Sequence, residues 1–286
     1  MSNSGPLVFH VWGARGSIFA GGPDKVAFGG DTTCFSVATE TGLTIIDAGS
    51  GLNAMGEAMA RDGFGGTIPD APDSLTEIDL LLTHLHFDHI CGLPFFEPVF
   101  SDTTILRIWS ARFDRDEVFR ETLQRALSPP IFPDFRHWDR VRLCTAQPGI
   151  SIPLAMGGTA MPFALRHPDG AFGWRIDSGG KSVTVVADHE IGDRATDARI
   201  TDIARDTDLL VLDAMYTDDE IAHRAGWGHS TWRQGLSLGR AAGARHLMMT
   251  HHDPHRTDAD LDTMERAARA EDPDITFARS GMTRSL

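Results

Sequence analysis

The sequence predicts an α/β fold in which a layered sheet carries a functional site along one rim. Short apolar runs recur between turn signals and are typical of strands. Segments with helical periodicity are fewer. Several apolar runs end in Asp or His, and polar residues gathered at strand ends are expected where such a sheet carries a site on its rim.

The predicted elements follow the apolar runs and the turn residues in chain order. Strands are predicted at 7–12, 34–39, 43–47, 79–83, 105–110, 161–166, 173–177, 182–187, 208–213 and 246–250. Helices are predicted at 52–60, 116–126, 195–205, 232–242 and 258–270. Gly179-Gly180 predicts a tight hairpin between two of the strands.

Length and composition indicate a globular protein with a large core. The chain has 286 residues, of which 41% are hydrophobic, and we expect residues 1–286 to form one domain. The net charge of −14 opposes binding to a nucleic-acid backbone or an anionic membrane, since both attract Lys and Arg. A small anionic substrate is still compatible, because bound metal ions would supply local positive charge.

The cysteines and the amino terminus favour a cytoplasmic protein. Cys34, Cys91 and Cys144 are odd in number, far apart and outside any CxxC pattern, which indicates reduced thiols. For Cys91, close to the motif below, a small buried hydrophobe is favoured over a site residue. We see no leader-like segment and no apolar stretch of about 18 residues, the length that a spanning helix needs.

The most informative motif is HLHFDH at residues 84–89, directly after the apolar run 79–82. Four side chains able to bind metal fall within six residues, at the point where a strand gives way to a loop. His167, Asp188 and His251 follow later predicted strands. Together they give seven candidate ligands, enough for two cations about 3.5–4 Å apart. The candidate ligands are His84, His86, Asp88, His89, His167, Asp188 and His251.

This ordered set resembles the metallo-β-lactamase-fold hydrolases over nearly the whole chain. The resemblance implies a four-layer αββα sandwich with a dinuclear site at one edge between the sheets. It assigns His84, His86 and His167 to the first metal ion. It assigns Asp88, His89 and His251 to the second, with Asp188 as the bridge. Zinc is the favoured ion, and manganese or iron would accept the same ligands. Relatives often carry Thr or Ser where this chain has His189.

A second motif, GWGHSTW at residues 226–232, resembles the His-Ser-Thr loop of the tRNase Z and cyclic phosphodiesterase branch. The resemblance implies that His229 stabilises the phosphoryl transition state or protonates the leaving oxygen. Ser230 and Thr231 are then predicted to bind substrate. Alternatively, they form a helix N-cap. Arg15 is a candidate phosphate clamp because guanidinium matches phosphate, with a surface salt bridge as the alternative.

The sequence therefore predicts a dinuclear phosphodiesterase acting on a small phosphodiester such as a cyclic nucleotide. Asp88 is expected to orient the attacking hydroxide and accept its proton. A polynucleotide substrate is disfavoured because the chain is acidic and shows no Gly/Pro-rich arm. A homodimer is usual for the branch.

Several alternatives stay open at this stage. The chain could be a tRNase Z-like ribonuclease, a lactonase or thioesterase, or a di-iron redox or oxygen-sensing module. His86 argues against the last, since flavodiiron relatives typically carry an acidic residue there. The aromatic-rich stretch 94–148 is interpreted as core and cleft wall, in preference to an interface.

Overall fold

Two sheets packed face to face form the centre of the molecule. The computed structural model describes residues 6–67, 77–96, 104–132 and 140–286, with side chains described for all of these except 62–67. Within these residues the strands form two seven-stranded sheets, and helices cover the outer face of each. The predicted αββα sandwich is confirmed.

The first sheet is built mainly from the amino-terminal half. Its strands are β1 (Val8–Gly13), β2 (Cys34–Thr39), β3 (Gly42–Ile46), β4 (Glu77–Leu82), β5 (Ile105–Ser110), β6 (Val141–Thr145) and β14 (Thr283–Ser285), in the order β14-β1-β2-β3-β4-β5-β6. Its helices are α1 (Gly51–Thr67), the one-turn α2 (Phe87–Ile90) and α3 (Asp116–Ala126), with a short 3-10 turn at Leu93–Phe95. Strands β3 to β6 run parallel, so their carboxyl ends share one edge.

The second sheet contains the carboxyl-terminal strands. They are β7 (Ile152–Pro153), β8 (Thr159–Leu165), β9 (Ala171–Ser178), β10 (Lys181–Val186), β11 (Leu209–Asp213), β12 (Leu247–Thr250) and β13 (Thr276–Phe277), paired in the order β13 to β7. Its helices are α4 (Arg194–Ile203), α5 (Asp218–Ile221), α6 (Trp232–Ala242) and α7 (Asp258–Glu271). Strands β10 to β13 are parallel, and β8 runs with them because β9 is antiparallel to both of its neighbours.

Apolar side chains fill the space between the layers. Alternate residues of β11 point to opposite faces of the sheet. Leu209 and Val211 lie between the two sheets, whereas Leu210 and Leu212 lie under the helices. Strand β11 is therefore apolar throughout, as parallel strands covered on both faces are.

The predicted elements agree closely with the observed ones. Each predicted strand and helix is present, and the bounds of 34–39, 105–110, 116–126 and 232–242 are reproduced without change. The hairpin is also confirmed, since Gly179 and Gly180 have φ of 59° and 78° between paired strands β9 and β10. Strands β6, β7, β13 and β14 and helices α2 and α5 were not predicted. The single-domain organisation of residues 1–286 stays a prediction.

The aromatic-rich stretch contributes to the core where it is described. Phe96 and Phe119 are fully buried beside the first sheet, and Phe113 and Phe132 pack against the same cluster. Phe95 is the exception, at 56% exposed. The interpretation as core is therefore confirmed for Phe96, Phe113, Phe119 and Phe132. Phe100, Phe135 and Trp138 lie outside the described residues.

Candidate metal centre

The carboxyl ends of four strands bring the predicted ligands to one place between the sheets. His84 follows β4, His167 follows β8, Asp188 follows β10 and His251 follows β12. Asp188 and His251 adopt left-handed backbone conformations, with φ of 56° and 58°. Such conformations are rare for residues other than glycine and are found where a turn must aim a functional side chain.

The seven predicted residues form two clusters that share Asp188. The first cluster is His84, His86, His167 and Asp188, and the second is Asp88, His89, Asp188 and His251. Within each cluster the candidate ligand atoms lie within 4.8 Å of one another. This division is the one that the family resemblance implies.

The two oxygens of Asp188 face different clusters. Oδ2 lies 3.6 Å from His84 Nε2 and 3.7 Å from His167 Nε2. Oδ1 lies 3.3 Å from His89 Nε2 and 3.0 Å from His251 Nε2. A carboxylate placed in this way can bridge two cations.

Polar contacts behind the imidazoles hold the ring nitrogens toward the centre. Thr83 Oγ1 lies 3.0 Å from His84 Nδ1, and Asp47 Oδ2 lies 2.8 Å from His89 Nδ1. His167 Nδ1 donates to the Gly228 carbonyl at 3.0 Å. Each contact leaves Nε2 for the centre, which is how proteins orient metal-binding histidines.

The residues fit a pair of metal ions. Among the described residues, the buried atoms His84 Nε2, His89 Nε2 and Asp188 Oδ1 make no hydrogen bond of acceptable geometry, although charged partners lie close to them. Buried polar atoms without partners are uncommon, and here they converge on shared positions. Imidazole nitrogen and carboxylate oxygen are donors that zinc, manganese and iron accept. The clusters can therefore hold metal.

The electrostatics of the centre favour a bound cation. Burial lowers the pKa of His84 and His167, so both are held neutral, the form that binds metal. Burial would also lower the pKa of His251, but the carboxylates Asp188 and Asp88 outweigh it and raise the pKa to about 10. The buried carboxylates therefore require positive charge between them, which a divalent ion would supply.

His229 lies beside the second cluster and faces a cleft. Its Nδ1 lies 2.7 Å from Asp213 Oδ2, and its ring stacks on His251 with centroids 4.8 Å apart. The cleft has a volume of about 290 Å³ and is lined by residues of both clusters together with Ser17, Phe87, Pro168, Trp227 and His229. Because Asp213 occupies Nδ1, His229 can present Nε2 to a substrate.

The family model described as "Beta-lactamase superfamily domain" matches residues 44–252. The chain belongs to this superfamily. The match spans β3 to the residue after His251, and so includes all seven residues of the two clusters. Together with the αββα sandwich, this match confirms the prediction that the protein is a hydrolase of the metallo-β-lactamase superfamily.

Known proteins similar to this superfamily member include a protein named Ribonuclease Z from Gemmatimonas aurantiaca. It is 25% identical over 252 residues, covering 71% of this chain and 77% of that protein. The metallo-beta-lactamase fold protein YhfI from Bacillus subtilis is 19% identical with a TM-score of 0.69, covering 99% and 100% of the two chains. A structure described as a new diphosphatase from the PhnP family is 18% identical with a TM-score of 0.65, covering 98% and 97%.

Arg15 is not placed as a phosphate clamp in this superfamily member. Its side chain is 1% exposed, and Nε donates to the Gly29 carbonyl at 2.9 Å. Nη1 donates to the carbonyls of Asp253 and Arg256 at 3.1 and 2.8 Å. The prediction is therefore corrected, as is the alternative of a surface salt bridge: the guanidinium joins two loops from inside.

The hydroxyls of Ser230 and Thr231 also bind the protein itself. Ser230 Oγ donates to the His189 carbonyl and accepts the Ile191 N–H at 3.0 Å. Thr231 Oγ1 accepts the Gln234 N–H as the N-cap of α6. The predicted substrate contacts are corrected, and the N-cap alternative is confirmed for Thr231.

His189 and Cys91 are structural. His189 Nδ1 accepts the Arg166 N–H at 3.0 Å, and its Nε2 lies 3.1 Å from Asp197 Oδ1, which ties β8 to α4. Cys91 is buried with its thiol 3.8 Å from Thr32 Oγ1, as the favoured interpretation expects.

Sequence reasoning missed several supporting residues. Asp47 and Asp213 stand at strand ends, which was the available signal, yet their pairing with His89 and His229 depends on tertiary contacts. A third omission is Ser17, whose N–H donates to Asp88 Oδ2 at 2.7 Å.

Proposed function

We propose that the protein is a phosphodiesterase that uses two divalent metal ions and acts on a small phosphodiester such as a cyclic nucleotide. The position of His229 carries the proposal. This histidine is 7% exposed, is held by Asp213 and lines the same cleft as both clusters. An imidazole placed there can donate a proton to a leaving alkoxide, which hydrolysis of a phosphodiester requires.

The two clusters would hold the metal ions, with Asp188 between them. Zinc is favoured because the set consists of imidazoles and carboxylates, and manganese or iron are the alternatives. When bound, the metal pair supplies Lewis-acid stabilisation of the developing phosphoryl charge. His84, His86 and His167 would orient one ion, and Asp88, His89 and His251 the other.

Asp88 would orient the attacking water, whereas its lowered pKa makes it a weak acceptor of the proton that the sequence assigned to it. Its Oδ2 accepts the Ser17 N–H at 2.7 Å and lies 3.2 Å from His89 Nε2 and 3.3 Å from His251 Nε2. Burial alone would raise the pKa of Asp88, but the two imidazoles lower it below its usual range. The carboxylate is therefore ionised and fixed in orientation.

A small substrate is supported by the negative charge of the chain and by an acidic side chain near the cleft. The chain carries a net charge of −14, and Asp169, with a side chain 80% exposed, lies 3.9 Å from His86 at the cleft. Both features oppose a long polyanion. A tRNase Z-like ribonuclease is the second candidate, because the Gemmatimonas relative is named Ribonuclease Z.

The proposal is tested with His229→Ala on bis(p-nitrophenyl) phosphate and on cyclic nucleotides, with metal content measured in parallel. We expect normal metal content and a fall in kcat of about 10²-fold or more. His223→Ala, an exposed histidine on the same connection, is the control and should retain full activity. Unchanged turnover by the His229 variant would reject the proposed role.

Substrate class is decided by competing assays on the wild-type protein. Cyclic nucleotide hydrolysis should exceed cleavage of a tRNA precursor, and efficient precursor cleavage would favour the second candidate. An acyl-homoserine lactone assay tests the lactonase alternative. An iron-specific optical band would instead favour a di-iron module.

The predicted homodimer and cytoplasmic location stay predictions. No helix within the described ranges combines the length and hydrophobicity that a bilayer-spanning segment needs. Light scattering of the purified protein would measure the oligomeric state, and a fluorescent fusion the location.

A further inference from the structure

Two large aromatic side chains are exposed at the cleft. Trp227 is 55% exposed and Phe87 is 47% exposed, although most large apolar side chains of a folded protein are buried. Both line the cleft that contains His229 and both clusters. An exposed apolar surface at a reactive centre indicates contact with a ligand.

The loop that carries Trp227 is held in one conformation. Gly226 and Gly228 have φ of 83° and 87°, a region that favours glycine. Glu190 Oε2 accepts the N–H groups of both glycines, at 2.8 and 3.0 Å. Arg166 in turn lies 3.1 Å from Glu190. The indole is therefore presented by a built turn.

A cation packs against Trp227. The Arg224 guanidinium carbon lies 4.6 Å from the centroid of the indole ring. This contact helps to hold the ring in place. Phe87 comes from the motif of the first sheet and Trp227 from the loop after β11 of the second, so each sheet supplies one aromatic ring to the cleft.

We propose that Trp227, with Phe87, forms a stacking subsite for the nucleobase of the substrate. The inference rests on the proposed function and narrows it, because it selects a nucleoside phosphodiester over a sugar or glycerol phosphodiester. Stacking on an aromatic ring accepts any base, since every base has a π face.

The test compares 2′,3′-cyclic AMP with glycerol 1,2-cyclic phosphate, which lacks a base. Trp227→Ala should lower kcat/KM for the nucleotide about 5- to 150-fold, mainly through KM. Hydrolysis of the glycerol compound should change less than about two-fold. Trp227→Phe should restore most of the nucleotide activity, whereas Trp227→Leu should not.

The matched control is Phe95→Ala, because Phe95 is 56% exposed and stands outside the cleft lining. Phe95→Ala should leave kcat/KM unchanged for both substrates. Equal losses on the two substrates after Trp227→Ala would overturn the stacking subsite. So would a Leu variant as active as the Phe variant, which would indicate an aliphatic or protein occupant.

A binding measurement separates this inference from the proposed function. Calorimetry of AMP and ribose 5-phosphate should show tighter binding of AMP to the wild-type protein, and Trp227→Ala should abolish the difference. If the wild type hydrolyses neither cyclic phosphate, the proposed function fails, and calorimetry still decides the subsite. Equal affinity of the wild type for AMP and ribose 5-phosphate would overturn it.

Discussion

Single residues set the charge and geometry of the centre. Asp188 turns one oxygen toward each cluster, which no other residue of the two clusters does. Its backbone is held in the left-handed region, and His251, which follows a strand two positions away in the same sheet, is held in the same way. The turns after β10 and β12 therefore aim the shared carboxylate and its partner imidazole at the same point.

Two glycines leave the space in which the imidazoles lie. A Cβ on Gly228 would approach His167 Nδ1 to 2.1 Å, and a Cβ on Gly16 would approach His251 Nδ1 to 2.3 Å. We expect Gly228→Ala and Gly16→Ala each to displace the imidazole and weaken zinc binding about 10- to 100-fold. Competition with a chromogenic chelator measures the affinity.

Other glycines provide controls for these two variants. Gly226 has a similar φ of 83°, yet a Cβ there meets no atom of the described residues within 4 Å, and the same holds for Gly21. Gly226→Ala reproduces the backbone strain of Gly228→Ala without the contact. Zinc affinities equal in all four variants would contradict the steric explanation.

Asp213 and His229 should act as a unit. Asp213 Oδ2 holds His229 Nδ1, so Asp213→Ala releases the imidazole that the mechanism uses. We expect Asp213→Ala to lower kcat on bis(p-nitrophenyl) phosphate about 10²-fold, and His229→Ala to add little to it. Losses that multiply in the double variant would show that the residues act independently.

The residues that bind metal were predictable, whereas the residues that support them were not. Asp188 and His251 each follow an apolar strand, and that pattern is visible in the sequence. The hydrogen-bond partners of a polar side chain such as that of Arg15 or Ser230 depend on tertiary packing, which the local sequence does not show. Arg15 donates to the backbone carbonyls of Asp253 and Arg256, which lie more than 200 positions later in the chain. The Ser230 hydroxyl donates to the His189 carbonyl, in the turn after Asp188.

At the scale of elements, the strands that create the site were predictable because their hydrophobic pattern is continuous. Most of the missed elements are short: β7 and β13 have two residues each, β14 has three, and α2 and α5 have four. Such segments form when a longer neighbour offers hydrogen bonds, so local propensity does not reveal them. Helix α6, with Thr231 as N-cap and Gly243 as C-cap, carries strong end signals and was predicted without error.

An ion pair with a buried carboxylate links two adjacent parallel strands of the first sheet. Asp79 on β4 is fully buried and accepts two hydrogen bonds from Arg107 on β5, at 2.8 and 2.7 Å. It also accepts from Trp109 Nε1 and the Ala155 N–H, both at 2.7 Å.

Asp79→Ala would leave these donors without an acceptor, so we expect the free energy of unfolding to fall by about 3 kcal/mol. Urea denaturation measures it, with Asp177→Ala on an exposed pair as the control. A loss below about 1 kcal/mol would contradict the importance of this network.

Strand β1 carries a histidine whose protonation opposes folding. His10 stacks on Trp12 with centroids 3.9 Å apart, and burial lowers the pKa of His10 from 6.5 to about 4. A folded-state pKa below the unfolded value means that stability is complete above about pH 6.5 and is lost as the pH falls toward 4.

His10→Phe keeps the stacking and removes the titration. Between pH 7 and pH 4 the variant should lose about 1–2 kcal/mol less stability than the wild type, because the ring is only partly buried. Equal losses in urea denaturation at the two pH values would contradict the prediction.

At the scale of the whole molecule, the sandwich brings strand ends from two sheets to one edge. The first sheet supplies residues 84–89, and the second supplies His167, Asp188, His229 and His251. Neither sheet alone completes the second cluster. Under the proposed function, the acidic charge favours a small phosphodiester over a polynucleotide.

Phosphodiester hydrolysis by a metal pair can be measured by titrating metal-free protein with Zn²⁺. Hydrolysis of bis(p-nitrophenyl) phosphate is followed after each addition. Because the two clusters share Asp188, activity should rise to a plateau at about two equivalents of metal per chain. A plateau at about one equivalent, or no hydrolysis at any loading, would rule out hydrolysis by a metal pair.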